Sequence, residues 1–286
     1  METDRIAYMP FRIVQSKQNS RVKQLRRALA NPGHERDGLA GIEGPNLLVE
    51  AMRAGLRIHC AFASEGNEEW LERQALSAET EVLILPREVL SSALTTETPQ
   101  PIAALVEQPM WTWADLASNR QKAAALIIVL AELQDPGNMG TIIRSVEAFG
   151  ATGVICLPGT VSAWNPKAVR ASTGSVFRVP MLSGSAESTI VRLRDSGIKS
   201  LAAVVQNAQP ADLIKLDGPV ALLIGNEGNG VPPELAAQAD GAITIRCPGP
   251  VESLNAAVAA SVLLDEASRQ RARQTSDAAP FQREVR

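Results

Sequence analysis

The chain has 286 residues, 45% hydrophobic and 21% charged, with a formal net charge of −3. That length suits one large domain or two ordinary ones, and the composition excludes a disordered chain. No apolar run is long enough to span a bilayer, and the opening "METDRIAYMP" lacks the apolar core of a signal peptide, so the expectation is a cytoplasmic protein with no membrane partner.

The first feature along the chain is a block of one charge. From Ile6 to His34 there is no Asp or Glu, while Arg12, Lys17, Arg21, Lys23, Arg26 and Arg27 are basic. Such a block can neutralise phosphates in a salt-dependent way, although a solvated helix face is the commoner meaning of an isolated basic run. Residues 1–107 mix short helical and strand-like runs, including "LAGIEGPNLLVEAMRAG" and "EVLILP". A polar stretch over 108–122 reads as a linker, and a second domain is expected over 123–273.

In that second domain the pattern is regular. Apolar strands are predicted at "ALIIVLAEL" (125–133), "TGVICL" (152–157), "SLAAVVQ" (200–206), "PVALLIG" (219–225) and "GAITIR" (241–246), with helices between them. Near-continuous apolar strands alternating with helices imply a parallel sheet covered on both faces, an α/β fold. The tail over 274–286 has no periodicity and is expected to fray.

Three loops at the strand ends carry unusual chemistry. In "QDPGNMGTIIRSVEAFG" (134–150), Asn138 is a candidate helix N-cap, with Arg144 less than two turns further on. "LLIGNEGNGVP" (222–232) sets three glycines around Glu227. Its spacing fits neither a phosphate-binding loop, since Val231 stands where the lysine is needed, nor the dinucleotide fingerprint. In "RCPGPVESLNAAVAASVLL" (246–264), Ser253 or Asn255 can cap a helix whose small residues permit close packing. Each loop taken singly is explained by capping and tight turns alone.

Elimination narrows the chemistry. Cys60, Cys156 and Cys247 are far apart in sequence and show no metal-ligand spacing. The only histidines, His34 and His59, precede the second domain, so a Ser–His triad within it is excluded.

Taken together and in order, "DPGNMGTIIRS", "IGNEGNGV" and "ESLNAAVAAS" resemble the three signature motifs of SpoU/TrmH-type RNA 2′-O-ribose methyltransferases of the SPOUT class. "VRASTGSVFRVP" (169–180) is similar to the segment between the first two motifs. "SKQNSRVKQLRRAL" (16–29), "IEGPNLLVEA" (42–51) and "TPQPIAALV" (98–106) resemble that family's small ribosomal-protein-like RNA-binding domain. The resemblance implies an α/β fold whose parallel-sheet domain ends in a C-terminal trefoil knot, preceded by a small α/β RNA-binding domain. It also implies S-adenosylmethionine as cofactor, a structured rRNA or tRNA as partner and a homodimer packed through the small-residue face of 256–261. A catalytically idle RNA-binding relative of the same fold is the alternative.

Site residues follow from the same resemblance. Backbone groups near Gly225, Ile245 and Leu254 would hold the adenine. Arg144 would meet the ribose hydroxyl and adjacent phosphate, orienting and stabilising charge rather than acting as a base. Asn138 would hold substrate or brace Arg144, Glu227 and Asn255 would order the loops, and Ser253 would contact phosphate or arginine. Arg21, Lys23, Arg26, Arg27 and Arg170 are the expected RNA contacts. The sequence departs from the family pattern at Pro101, Arg246, Cys247, Pro250 and Ala256.

Overall fold

The computed structural model describes residues 11–32, 38–117 and 124–278. His34, linker positions 118–122 and the tail beyond 278 lie outside the described residues. The chain forms two compact units, one of residues up to Met110 joined by Ser162–Phe177, the other of Trp111–Val161 and the residues from Arg178 onward.

The first unit contains β1 (Phe11–Ile13), α1 (Ser20–Ala30), β2 (Leu39–Glu43), α2 (Pro45–Arg53), β3 (Ile58–Ser64), α3 (Glu68–Glu72), β4 (Glu81–Leu85), α4 (Arg87–Ser91) and β5 (Ile102–Glu107). Its sheet runs β1-β4-β3-β5-β2, with β5 antiparallel to both of its neighbours. Helix α1 starts where it does because the Asn19 side chain accepts from the N–H groups of Arg21 and Val22. Val22, Leu25, Ala28 and Leu29 then recur on one helical face and enter a core with Phe62, Leu83 and Leu105. Strand β2 needs a glycine beneath that helix: a Cβ at Gly41 would lie 2.8 Å from Leu29 Cγ. The basic residues of α1 are left on the opposite face.

The second unit opens with α5 (Trp113–Ala117), β6 (Leu126–Leu130), α6 (Pro136–Ala148) and β7 (Gly153–Cys156). The chain then contributes α7 (Pro166–Ser172) to the first unit, where it packs on β2. It returns as β8 (Met181–Ser183), α8 (Ala186–Asp195), β9 (Lys199–Ala203), β10 (Gln209–Pro210), β11 (Val220–Ile224), α9 (Pro233–Gln238), β12 (Gly241–Thr244) and α10 (Ala256–Ala278).

These seven strands form one wholly parallel sheet in the order β10-β12-β9-β11-β6-β7-β8. The five strands expected from apolar runs are present. Edge strands β8 and β10 are additional; at three and two residues they are too short to show a period. Ile127 and Val129 face a core shared with Ile190, Leu193 and Leu235, while Leu126, Ile128 and Leu130 are equally buried on the other face. Burial on both faces is why these strands read as continuous apolar runs.

Helix α10 continues through residues 274–278, which the sequence pattern assigns to the fraying tail. Its last third is anchored: Arg271 donates to the carbonyls of Ala124, Ala125, Leu216 and Gly218 at 2.5–3.1 Å. A helix pinned there propagates a further turn at little cost.

From β6 the chain steps outward to β7 and β8, then crosses to β9 on the far side of β11. The strand order therefore reverses between β6 and β11. Crevices outside the carboxyl ends of strands at such a switch point are the usual ligand sites of open α/β sheets.

Candidate active site

Three loops meet at that switch point. In the first, the helix cap is Asp135, not Asn138: the Asp135 carboxylate accepts from the Asn138 N–H at 2.8 Å, and Pro136 occupies the first helical turn. The Asn138 side chain is thereby released from capping. Arg144 is exposed further along α6. The helix is held there by Ser145, whose hydroxyl lies 2.7 Å from that of Ser261 on α10, and by a two-point Glu147–Arg178 ion pair at 2.5 and 3.1 Å.

The second loop closes on itself. Asn226 and Gly230 exchange backbone hydrogen bonds of 3.0 and 2.9 Å, with Gly230 in the left-handed region at φ 70°. A Cβ at Gly225 would fall 1.9 Å from the Gly230 carbonyl carbon, so no other residue fits there. The glycines serve the loop's own closure, and its carboxylate projects from the closed turn.

In the third loop Asn255 caps α10, its side-chain oxygen accepting from the N–H groups of Ala257 and Val258 at 2.9 and 3.3 Å. Its amide group points the other way and donates to Asn138 Oδ1 at 3.1 Å. Asn138 in turn donates to Glu227 Oε1 at 2.8 Å. Asn255, Asn138 and Glu227 thus form one chain of hydrogen bonds through all three loops. Backbone N–H groups of Gln134 and Asp135 add longer contacts to the Glu227 carboxylate, at 3.5 and 3.4 Å. Desolvation works to raise the Glu227 pKa, but the donors from Asn138 and the backbone outweigh it and hold the carboxyl below its ordinary range.

Beside this network lies a cleft of about 510 Å³. Gly225, Ile245, Ser253 and Leu254 all line it, together with Val205 and Leu263. Among the described residues lining it, Glu227 and Glu252 are charged and none is Lys, Arg or His. Such a wall disfavours a pyrophosphate and suits a ligand that is cationic or neutral where it meets the loop. An adenosine with a sulfonium substituent meets both conditions, so the donor set fits S-adenosylmethionine. Cys247 also lines the cleft, while Arg246 next to it forms an exposed ion pair with Asp212 at 3.4 Å.

Ser253 is exposed at the cleft wall and makes no hydrogen bond among the described residues. Arg170 is exposed on α7, within the first unit. Of the basic residues on α1, Arg21 is committed to Glu81 at 2.7 Å, and Arg26 donates to the carbonyl and hydroxyl of Ser92 at 3.1 and 3.2 Å. Lys23 and Arg27 make no ion pair among the described residues. The small-residue face of 256–261 is largely used inside the chain: Ala256, Ala257 and Ala260 are buried, and α10 packs on α6.

Sequence reasoning missed Asp135 and Asn226. The signal for Asp135 was present, since Asp-Pro before a helix is itself a cap-plus-first-turn pattern. Asn226 carried a local signal only for its turn, through Gly228 and Asn229, and none for its remote partner Glu132.

The chain has known counterparts in sequence and fold. Residues 125–265 match the SpoU rRNA methylase family, and residues 19–104 match the MRM3-like substrate-binding domain. The chain is 30% identical over 251 residues to the 23S rRNA (guanosine(2553)-2′-O)-methyltransferase RlmP of Bacillus subtilis, covering 88% of this chain and 97% of that protein. The AdoMet-bound rRNA methyltransferase from Sinorhizobium meliloti superposes with a TM-score of 0.79 at 29% identity, covering 91% of this chain and 98% of that one. The SpoU methyltransferase AviRb from Streptomyces viridochromogenes, in complex with AdoMet, gives 0.77 at 27% identity over 89% and 99% of the two chains. Fold and site define an RNA methyltransferase. The chain belongs to the SpoU rRNA methylase family.

Proposed function

We propose that this protein transfers the methyl group of S-adenosylmethionine to a ribose 2′-hydroxyl of a structured RNA, an rRNA or a tRNA. The observation that carries this is the hydrogen-bond chain Asn255–Asn138–Glu227, which brings three loops to one cleft free of basic side chains among its described lining. Bound there, the cofactor supplies an electrophilic methyl group. Gly225, Ile245 and Leu254 are the backbone positions that hold its adenosine.

The remaining tasks belong to the chain's own side chains. Arg144 orients the ribose hydroxyl and the adjacent phosphate, and its fixed charge stabilises the developing alkoxide. A guanidinium holds its protons too tightly to be the base. Glu227, Asn138 and Asn255 keep the loops in one geometry, so that the hydroxyl would meet the methyl carbon in line, its proton leaving to water as the methyl passes from sulfur to oxygen. Ser253, exposed and without a hydrogen-bond partner among the described residues, is free to meet the RNA phosphate. Lys23 and Arg27, with Arg21, Arg26 and Arg170, supply charge for RNA capture.

A second copy of the chain completes the enzyme. Supporting this, Val258 and Val262 remain 48% and 41% exposed, one turn apart on α10. The family relationship further supports a knotted path for the C-terminal segment and a cytoplasmic location. No observation favours the idle relative.

Calorimetry with S-adenosylmethionine, its demethylated product, ATP and NAD tests the cofactor, and only the first two should bind. Ribose-methylation mapping of RNA from a deletion strain identifies the nucleotide. NAD binding without a response to the methyl donor, or an unchanged methylation map, would overturn the proposal. Light scattering should report a dimer.

A further inference from the structure

Asn226 holds two loops with opposite ends of one amide. Its Nδ2 donates to the Glu132 carbonyl at 3.0 Å, while its Oδ1 accepts from the N–H groups of Gly228 and Asn229 at 2.7 and 3.3 Å. Glu132 is one of three non-glycine residues with positive φ among those described, at 57°. A left-handed conformation at a residue other than glycine is strained and persists only where its surroundings hold it. Here it places the Glu132 carbonyl, two residues past β6, within reach of the Asn226 amide. Gln134 Nε2 donates to the same carbonyl at 3.1 Å and to the Gly159 carbonyl at 2.6 Å, so three segments converge on this point.

We infer that Asn226 is a positioning residue for the cofactor cleft, a latch joining the β6–α6 loop to the glycine turn so that Glu227 and Gly225 are presented in one fixed geometry. The inference rests on the proposed cofactor reading for its functional consequence, but not for the latch itself. Glu227 bonds across to Asn138, Gln134 and Asp135, and those contacts require the turn to stand at the right height above β6. The bonds that Asn226 Oδ1 accepts from Gly228 and Asn229 shape the turn, whereas the Nδ2 bond ties it to the segment that follows β6. Only a side chain with a donor and an acceptor on one planar group does both.

That requirement gives a test with a pH signature. In Asn226→Asp the acceptor remains, but an ionised carboxylate faces the Glu132 carbonyl without a proton to donate. Glu132, Asp135, Glu227 and the cleft-lining Glu252 are the acidic groups on the segments around it, and each further disfavours the charge. Protonation restores one O–H donor and one acceptor, the pattern of the amide. The N–H groups of Gly228 and Asn229 favour the charge at one oxygen of the introduced carboxyl, while the Glu132 carbonyl and those acidic groups oppose it at the other. The latch requires that the second effect win and raise the carboxyl's pKa in the folded protein. Its stabilising contribution is present at low pH and lost as pH rises through the raised value.

The experiment compares wild type, Asn226→Asp and Asn226→Ala between pH 8 and pH 5, reading melting temperature without ligand and binding of S-adenosylhomocysteine by calorimetry. At pH 8 both variants should bind on the order of tenfold more weakly, since Asn226→Asp loses the Nδ2 bond and Asn226→Ala loses that bond and the two that Oδ1 accepts. Toward pH 5 Asn226→Asp should recover melting temperature and affinity relative to wild type, and Asn226→Ala should not. Wild-type affinity in both variants, or an Asn226→Asp melting temperature that tracks wild type at every pH, overturns the latch. If the wild type itself fails to bind while the melting temperature of Asn226→Asp still recovers at low pH, the latch stands and the cofactor assignment fails.

Discussion

The two units use polar residues in opposite ways. On α1 of the first unit, cations stand on the outer face of a helix whose inner face is core, and two of them are tied to Glu81 and Ser92. In the second unit the polar groups of the switch-point loops bond chiefly to one another: Asn255 to Asn138, Asn138 to Glu227, Asn226 to Glu132. A solvated charge attracts a polyanion at a distance and tolerates imprecision. A closed amide–carboxylate chain has no reach but defines position closely, as the placing of a hydroxyl against a methyl carbon demands. On the proposed function, the comparison separates capture from chemistry.

The largest effect expected is on chemistry. Arg144→Ala should cut the single-turnover methyl-transfer rate by about 10²-fold or more while RNA affinity falls modestly, and Arg144→Lys should also be slow because a point charge cannot reproduce a planar fork. Rapid-quench kinetics at saturating RNA check this. An unchanged rate would remove Arg144 from the chemistry and blur the separation.

Next is the shape of the glycine turn. Gly225→Ala places a methyl group where the Gly230 backbone stands. Overpacking of this kind costs about 2 kcal/mol, so cofactor affinity should fall roughly thirtyfold by calorimetry. RNA binding by the same variant, measured by filter retention, should be unaltered. Parallel loss of both would show that the two functions are not separable.

Smaller changes are expected from the basic helix. Neutralising Lys23 and Arg27 should weaken RNA binding several-fold and lower the salt-dependence slope by roughly one for each phosphate no longer neutralised, leaving the saturated rate intact. Arg21→Gln should do less to binding, since that side chain already serves Glu81. It should also lower the stability of the protein by no more than about 1 kcal/mol, the usual worth of a partly exposed pair.

The smallest effect is the pH response of Glu227. Its carboxyl is held below the ordinary range, so its contribution is present above the unfolded value of about 4.3 and lost as pH falls through the lower folded value. Cofactor affinity of the wild type should therefore stay level from pH 8 down to the ordinary carboxylate range and decline only below it. Calorimetry across that range checks it, and a decline centred near neutrality would exclude Glu227 as the group responsible.

Local chemistry determined much of this protein from sequence alone. Five buried parallel strands were legible because a strand covered on both faces must be apolar throughout, and Val220–Ile224 shows it without interruption. Ordered motifs were legible because a sharp turn needs Gly225 and Gly230, and a helix start needs a residue such as Asn255. Tertiary structure decided what local pattern cannot encode. Asn138 satisfied the local rule for a cap, yet Asp135 took that role three residues earlier and freed the Asn138 amide for Glu227. The segment 162–177, expected within the second domain, packs with the first because α7 finds its apolar partner on β2. The alanines of 256–260, expected to receive a second copy, are mostly buried within the chain. Asn226 and Glu132 lie far apart in sequence and meet only because β6 and β11 are neighbours in the sheet. A hydrogen bond between residues remote in sequence leaves no period and no local preference, so its partners become visible only once the strands are paired.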